Sequence, residues 1–377
     1  TDQINMCIEG NVLLPLNDLI EEYGFYYKRA LEENPEFRDY LTAPDGNIYT
    51  FFYTDTGVHK ASEYKMWVYT EWLDKLGLGT PTTIDDFKNM LIAFRDRDPN
   101  GNGVKDEIPL VGFHGGRKSS PICYLMNPFQ LYNDNYFYIS EDREVIFIAN
   151  TDGWREGLRY IHDLYKNGLI LEETFVQDQT QFQALLNRPA GETIVGAFPF
   201  WYQGAVIDRN VLNWTDYQAI PPLLGPTGLR QTAARKGGDF WLDCAITTQC
   251  KNPEVAFMWL DWMLSDEGCY FGHFGAEGIT YEWVDKPAYS GAPRSIKVTA
   301  DLTKAIWNSG TFPRYDKEEI RYATTMDETQ KNVENTYILV SAAKIYEPYY
   351  VWHNIPPIIW SNDTDLAADI ADYRTLF

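Results

Sequence analysis

Lys65-Met66-Trp67-Val68-Tyr69 runs directly into Thr70-Glu71-Trp72-Leu73, and the change of character at that junction sets the fold class. The first run is short, apolar and rich in large side chains, as a buried strand requires; the second opens a helix. The pattern repeats outward. Residues 48–53 follow the Asp45-Gly46 turn and read as a strand, as do residues 145–148 and 193–198. Between them, Trp154, Leu158, Ile161 and Tyr165 form a helical stripe that stops at Asn167-Gly168, and Pro253 starts a helix carrying Phe257, Leu260 and Met263 and ending near Gly268. Short strands alternating with helices predict an α/β architecture. No internal repeat or low-complexity stretch interrupts the chain, and the Gly- and Pro-rich passage 221–238 is where it is expected to change domain.

At 377 residues the chain exceeds the usual limit of one hydrophobic core, so about two domains are expected. Its 32 basic and 54 acidic residues leave a net charge of -22, which repels phosphate and excludes nucleic acid as a partner. No apolar run approaches the roughly 18 residues of a membrane-spanning helix. Residues 1–7 lack the basic start and apolar core of a signal peptide. The five cysteines, Cys7, Cys123, Cys244, Cys250 and Cys269, contain no CxxC pair and read mostly as buried thiols, with Cys244 and Cys250 near enough in sequence to be bridged. His59, His114, His162, His273 and His353 are isolated from one another, so no histidine metal cluster is expected.

One segment has metal-ligand spacing. Thr83 stands three residues before Asp86 as a helix start, and Ile84, Phe87, Leu91 and Phe94 recur at helical period behind it. Off the end of that helix hangs Asp98-Pro99-Asn100-Gly101-Asn102-Gly103-Val104-Lys105-Asp106-Glu107. Oxygen-bearing side chains at its first, third, fifth and ninth places, with glycine at the sixth, follow the opening of a calcium loop that collects about 6–8 oxygens around a hard cation. The Val104 carbonyl would be the seventh-place ligand and Glu107 the tenth. An EF-hand places its bidentate Glu at the twelfth place, here Pro109, so the loop is EF-like without two EF-hand helices. A plain solvated turn is the other reading of these residue types. If calcium binds, its role is structural, since no histidine pair or spare carboxylate joins the loop. Only one such loop is present, whereas dockerin-type modules carry two.

Four stretches, VLLPLNDLI at 12–20, DGNIYTF at 45–51, WLDKLGLGTPTTIDDF at 72–87 and EGCYFGHFGAEGITYEW at 267–283, resemble the extracellular solute-binding proteins (family 1) of carbohydrate ABC importers. The calcium loop resembles that of the family's lipoprotein-type and alginate-binding branches. The resemblance implies two α/β lobes joined by crossing strands around a ligand cleft. Lobe one would hold residues 1–55 and 238–286, with its N-terminal part missing, and lobe two residues 56–237 and 287–377 with the calcium loop. Family members also extend before Thr1 and beyond Phe377. The implied ligands of a structural calcium are Asp98, Asn100, Asn102, the Val104 carbonyl, Asp106 and Glu107. The implied function is capture of an oligosaccharide by a non-enzymatic, monomeric receptor that delivers it to ABC transporter membrane subunits. Such a receptor is extracellular and lipid-anchored at a bacterial cell membrane.

A sugar offers an apolar CH face to an aromatic ring and hydroxyls to polar side chains. With 12 Trp, 26 Tyr and 20 Phe the chain is well supplied, although Trp72, Trp154, Trp259 and Trp262 lie in helical stripes and are assigned to packing. Trp201, in Pro199-Phe200-Trp201-Tyr202-Gln203 after a strand, is the stacking candidate with Tyr202 behind it. Tyr53 beside Asp55, Asp239 and Trp241 after Gly237-Gly238, Glu277 between Ala276 and Gly278, and Trp352 beside Tyr350 are further ligand-binding candidates; hinge, turn, surface or packing roles compete at each. Net negative charge favours neutral oligosaccharides over acidic ones. The alternatives in function are a secreted glycoside hydrolase, which needs two carboxylates across the scissile bond, and a calcium-stabilised module for a non-sugar solute. No hydrolase signature appears.

Overall fold

A computed structural model of the chain describes residues 7–116, 118–133, 136–139, 144–189, 191–208, 210–212, 214–235, 239–299, 313–325 and 331–352. They divide into two compact units, one from the chain up to Gly57 and again from Gly237 to Val333, the other from Val58 to Lys236 and from Glu334 to Ile355. Among the described residues no helix is long and apolar enough to cross a membrane.

After helical residues 7–9, the described part of the first unit continues with α1 (Asn17–Tyr23), α2 (Phe25–Glu33), α3 (Phe37–Leu41) and then β1 (Thr50–Asp55). Gly24 separates α1 from α2 because a Cβ there would stand 2.5 Å from the Ile20 carbonyl oxygen. The strand is buried on both faces, with Phe51 and Phe52 at its centre.

The chain then builds the second unit. It contributes β2 (Met66–Tyr69), α4 (Thr70–Leu76), α5 (Ile84–Asp96), β3 (Ile108–Leu110), α6 (Ile122–Leu125), β4 (Phe137–Ile139), β5 (Val145–Phe147) and α7 (Asp152–Lys166). After these come α8 (Gln179–Leu186), β6 (Val195–Pro199), β7 (Tyr217–Ile220) and β8 (Thr232–Ala234). Four strands form a sheet in the order β3-β6-β2-β7. The first pair is parallel and the other two antiparallel. Trp67, Trp72, Phe87, Phe94, Phe198 and Tyr217 fill the core over it. Thr83 and Asp86 form the expected capping box at the start of α5, each side chain accepting from the other's backbone N–H at 3.0 and 3.1 Å.

Back in the first unit, β9 (Asp239–Ala245), α9 (Pro253–Met263), α10 (Asp266–Phe274), the hairpin of β10 (Tyr281–Val284) with β11 (Ser295–Val298), β12 (Arg314–Asp316) and α11 (Glu318–Arg321) follow. β1 is the central strand of a three-stranded sheet, antiparallel to β9 and parallel to β12. Asp261 of α9 reaches the start of α2, where its carboxylate accepts from the backbone N–H groups of Phe25, Tyr26 and Tyr27 at 3.2, 3.1 and 2.8 Å. A buried carboxylate there satisfies donors that the helix leaves unpaired. Last, α12 (Lys331–Tyr346) and β13 (Tyr350–Trp352) return to the second unit, where β13 pairs parallel with β8.

The α/β reading matches these elements, with several differences in detail. The helix from Pro253 ends at Met263 rather than near Gly268, because Ser265 caps a separate helix, α10. Trp259, expected to pack, is 59% exposed, since it lies on the side of α9 opposite buried Phe257 and Leu264. In α7 the buried stripe is Gly157, Ile161 and Leu164, so Leu158 and Tyr165 face solvent while Trp154 is half-buried. Residues 287–333, expected with lobe two, contain β11 and β12, whose partners β10 and β1 are in the first unit. The passage 221–238 is not all linker, since it holds β8. All five cysteines are free thiols, Cys244 and Cys250 included.

Candidate ligand cavity and cation loop

In the second unit, the end of β3 and the turn after it enclose a cavity of about 240 Å3, lined by Phe113, His114, Lys118, Ser119, Cys123 and Tyr132 among others. The turn is fixed from several sides. Ser119 Oγ donates to the Phe113 carbonyl at 2.6 Å, His114 N–H donates to the Gln177 carbonyl at 2.9 Å, and Gln177 Nε2 donates to the Gly112 carbonyl at 2.6 Å. A Cβ on Gly116 would strike the Phe113 ring, so the turn closes only with glycine there. Behind it stands an aromatic wall: Tyr64 meets Tyr132 edge-on at 6.0 Å, and Tyr132 stacks on Trp154 at 5.9 Å. Burial holds the Cys123 thiol above its ordinary value, which leaves it protonated and inert at neutral pH.

Trp201 is outside the lining and is joined to it through a chain of rings. The Phe113 ring is 5.5 Å from Phe200, and Phe200 is 6.1 Å from Trp201, which is half-buried with the Lys60 ammonium 5.3 Å over its ring. Tyr202, 5.5 Å from Trp201, is buried behind it. The remaining candidates lie elsewhere. Tyr53 of β1 is paired in register with Trp241 of β9, which is 49% exposed, and Asp239 opens β9 opposite Asp55. Glu277 is an exposed loop acid in the first unit, and Trp352 is an exposed residue of β13 in the second. The cavity residues carry little signal in the sequence: His114 is isolated from the other histidines, and only Gly115-Gly116 beside it marks a tight turn.

Around Tyr53 the first unit buries a cluster of charges. Asp316 on β12 is fully buried, 3.6 Å from Arg314 Nε and 3.4 Å from His273 Nδ1. Arg321 Nη1 is 2.8 Å from His273 Nε2, and Arg321 Nε is 3.0 Å from Asp55 Oδ2. Arg314 lies 5.1 Å over the Tyr53 ring. Burial, with the neighbouring arginines, pulls the His273 pKa below its ordinary value despite the pull of Asp316 in the other direction. An unfolded chain therefore takes up the proton first as pH falls below about 6.5, so stability declines from there down to the folded-state pKa. His273→Gln, which can still donate and accept, should flatten the slope of melting temperature against pH between about 7 and 5. An unchanged slope in thermal unfolding would assign the pH dependence to other groups.

The cation loop follows α5. Asp98, with φ 44°, turns its carboxylate inward to accept from the N–H groups of Gly101, Asn102 and Gly103 at 3.0 to 3.1 Å. Gly101 and Gly103 both have positive φ, at 75° and 74°. Asn100 and Asn102 each donate to Asp106 Oδ1, at 3.2 and 3.1 Å. Thus Asp98, Asn100, Asn102 and Asp106 converge, and the Val104 side chain points to solvent. Glu107 Oε1 is buried with no hydrogen-bond partner, and burial together with the charges of Asp98 and Asp106 raises its pKa. Among the described residues no three His, Cys, Asp or Glu side chains are gathered as a metal cluster. Any ion here would need the amide and main-chain oxygens as well.

The sequence profile of the bacterial extracellular solute-binding proteins matches residues 1–268. The fructooligosaccharide ABC transporter substrate-binding protein FusA of Streptococcus pneumoniae serotype 4 is 34% identical over 267 residues, 69% of this chain and 48% of FusA. Lipoprotein LipO of Bacillus subtilis is 28% identical over 226 residues, 58% of this chain and 44% of its own. The chain thus spans about half the length of the curated relatives it matches. A solved structure of S. pneumoniae FusA in complex with kestose superposes with a TM-score of 0.75 at 28% identity, covering 99% of this chain and 77% of that one. An EF-hand mutant of FusA in complex with fructo-nystose also gives 0.75, at 26% identity, with the same coverage of both chains.

Proposed function

The chain belongs to the bacterial extracellular solute-binding proteins, and from that premise we propose that it captures an oligosaccharide and hands it to the membrane subunits of an ABC importer. The observation that carries this reading is the second unit's cavity, whose Phe113 connects through Phe200 to Trp201, on a fold that superposes over 99% of its length on a kestose-binding relative. A cavity walled by rings and offering a few fixed polar groups suits a sugar. The two units are the receptor's lobes, and the protein acts as a monomer outside the cell, lipid-anchored as the name of LipO suggests for that relative. It catalyses nothing. A panel of kestose, fructo-nystose and maltotriose tests this by thermal shift, since a ligand that binds only the folded chain raises its melting temperature. No shift with any of them overturns the sugar reading, and cleavage products in the same tubes would point to a hydrolase.

In this reading the loop at 98–107 holds a structural calcium through Asp98, Asn100, Asn102, the Val104 carbonyl, Asp106 and Glu107. The orphaned Glu107 oxygen supports it, because an oxygen buried beside the charges of Asp98 and Asp106 is one that a bound cation would satisfy. The EF-hand mutant of FusA also supports it, since that relative carries an EF-hand to mutate. Trp201 supplies the stacking ring. Trp201→Ala should weaken sugar binding by about 1–3 kcal/mol with little change in melting temperature. The fully buried Trp72, not exposed Trp259, is the packing control: Trp72→Ala should cost about 3–5 kcal/mol of stability. Calorimetric titration of Trp201→Ala with parental affinity would remove Trp201 from the site.

A further inference from the structure

We propose that Lys118 is the specificity-determining residue of the second unit's cavity, an inference that rests on reading that cavity as the sugar site. Lys118 sits at φ 59°, in the left-handed region that side chains other than glycine avoid. The same turn uses glycine at 115, where φ is 76°. A glycine would suit the backbone at 118 equally well, so the lysine is there for its side chain, and strained residues of this kind gather at ligand sites. That side chain is also positioned. Its ammonium stands 4.7 Å over the ring of Tyr64, whose edge contact with Tyr132 ties it to the cavity wall. The turn cannot slide, because Ser119 is bonded to Phe113 and a Cβ at Gly112 would stand 2.2 Å from the Ser119 carbonyl oxygen.

Among the described residues the lining carries two groups that can bear positive charge, His114 and Lys118, and neither Asp nor Glu. An ammonium has three donors and no acceptor. The cavity therefore selects a ligand that offers oxygen acceptors to Lys118 Nζ, namely the hydroxyl and ring oxygens of a sugar unit, and rejects one that offers a cation or only donors.

The test compares Lys118→Gly, Lys118→Met and Lys118→Arg in the full chain, by melting temperature and by calorimetric titration with kestose, fructo-nystose and maltotriose. Losing a charge-assisted donor should lower affinity about tenfold or more in the Gly and Met variants, with Arg retaining most of it. Lys118→Gly should melt no lower than the parent, because glycine accepts the left-handed backbone. A lysine kept for structure alone would give the opposite pattern, a lower melting temperature with unchanged affinity. If the parent binds one of the sugars and Lys118→Gly loses less than about tenfold, the role of Lys118 is overturned while the sugar site stands. If the parent binds none of them, the sugar reading fails and the role of Lys118 with it.

Discussion

Replacing Asp316 by Ala should cost the first unit about 3–5 kcal/mol, the range for removing one partner from a buried ion cluster. The residue is fully buried on β12, with Arg314 and His273 both within 3.6 Å of its carboxylate. Arg314 is itself buried and holds one further fixed bond, from Nη1 to the Gly272 carbonyl at 2.9 Å. Without Asp316 its charge would stay out of water beside that of Arg321. Burial opposes ionisation of the Asp316 carboxyl, but the neighbouring His273 ring and the arginine charges hold its pKa below the ordinary value. A depressed carboxylate pKa contributes stability that is present above about pH 3.9 and is lost as pH falls through the folded-state value. Asp316→Asn keeps the shape and removes the charge, so a loss close to that of Ala would identify charge as the cause. Scanning calorimetry separates the transitions of two units where a single midpoint would not. A loss below about 1 kcal/mol for Ala would mean the arginines find water or another partner.

The second large effect concerns the loop at 98–107. Calcium at a thousand times its dissociation constant should add about 4 kcal/mol to the unit that binds it. Chelation should then lower the melting temperature of the second unit, added calcium should restore it, and magnesium, which dehydrates reluctantly, should restore little. Asp106→Ala should melt where the chelated parent does and ignore calcium. The first unit's transition should stay in place throughout, since the loop belongs wholly to residues 58–236. Equal melting with chelator and with calcium would return the loop to the plain-turn reading, held by the Asp98 and Asn102 bonds alone.

Much of this architecture was legible because local signals agreed with one another. The run 65–69 and the helix at Trp72 gave β2 and α4, and Thr83 with Asp86 placed the start of α5 to the residue. Where the sequence misled, the signal was degenerate. α9 carries apolar side chains at 255, 257, 258, 259, 260, 262 and 263, so helical period marks no unique inner face. What selects the face is Asp261, turned inward to cap α2, a partner 234 residues away that no local pattern reveals. β12 is three residues, Arg-Tyr-Asp, whose polarity hid a strand with every residue buried. The cavity was unreadable for a similar reason, since it joins Tyr64, Lys118, Tyr132 and Trp154 from four separate segments, and only the fold brings them together.

The pairing of β1 has a consequence for how the protein is made. Its partners β9 and β12 begin at residues 239 and 314, and a ribosome adding about 5–20 residues per second needs roughly 10–50 seconds to go from β1 to β12. Until β9 emerges, Thr50-Phe51-Phe52-Tyr53 is a nascent segment with both edges unfilled and two phenylalanines exposed, and one edge stays open until β12 follows; such a stretch templates association between chains. Elongation rate and chaperone occupancy should therefore govern the yield of soluble protein more than final stability does. Slowing translation after residue 57 would lengthen the exposure, and a charged residue placed at the flank of β1 would guard it.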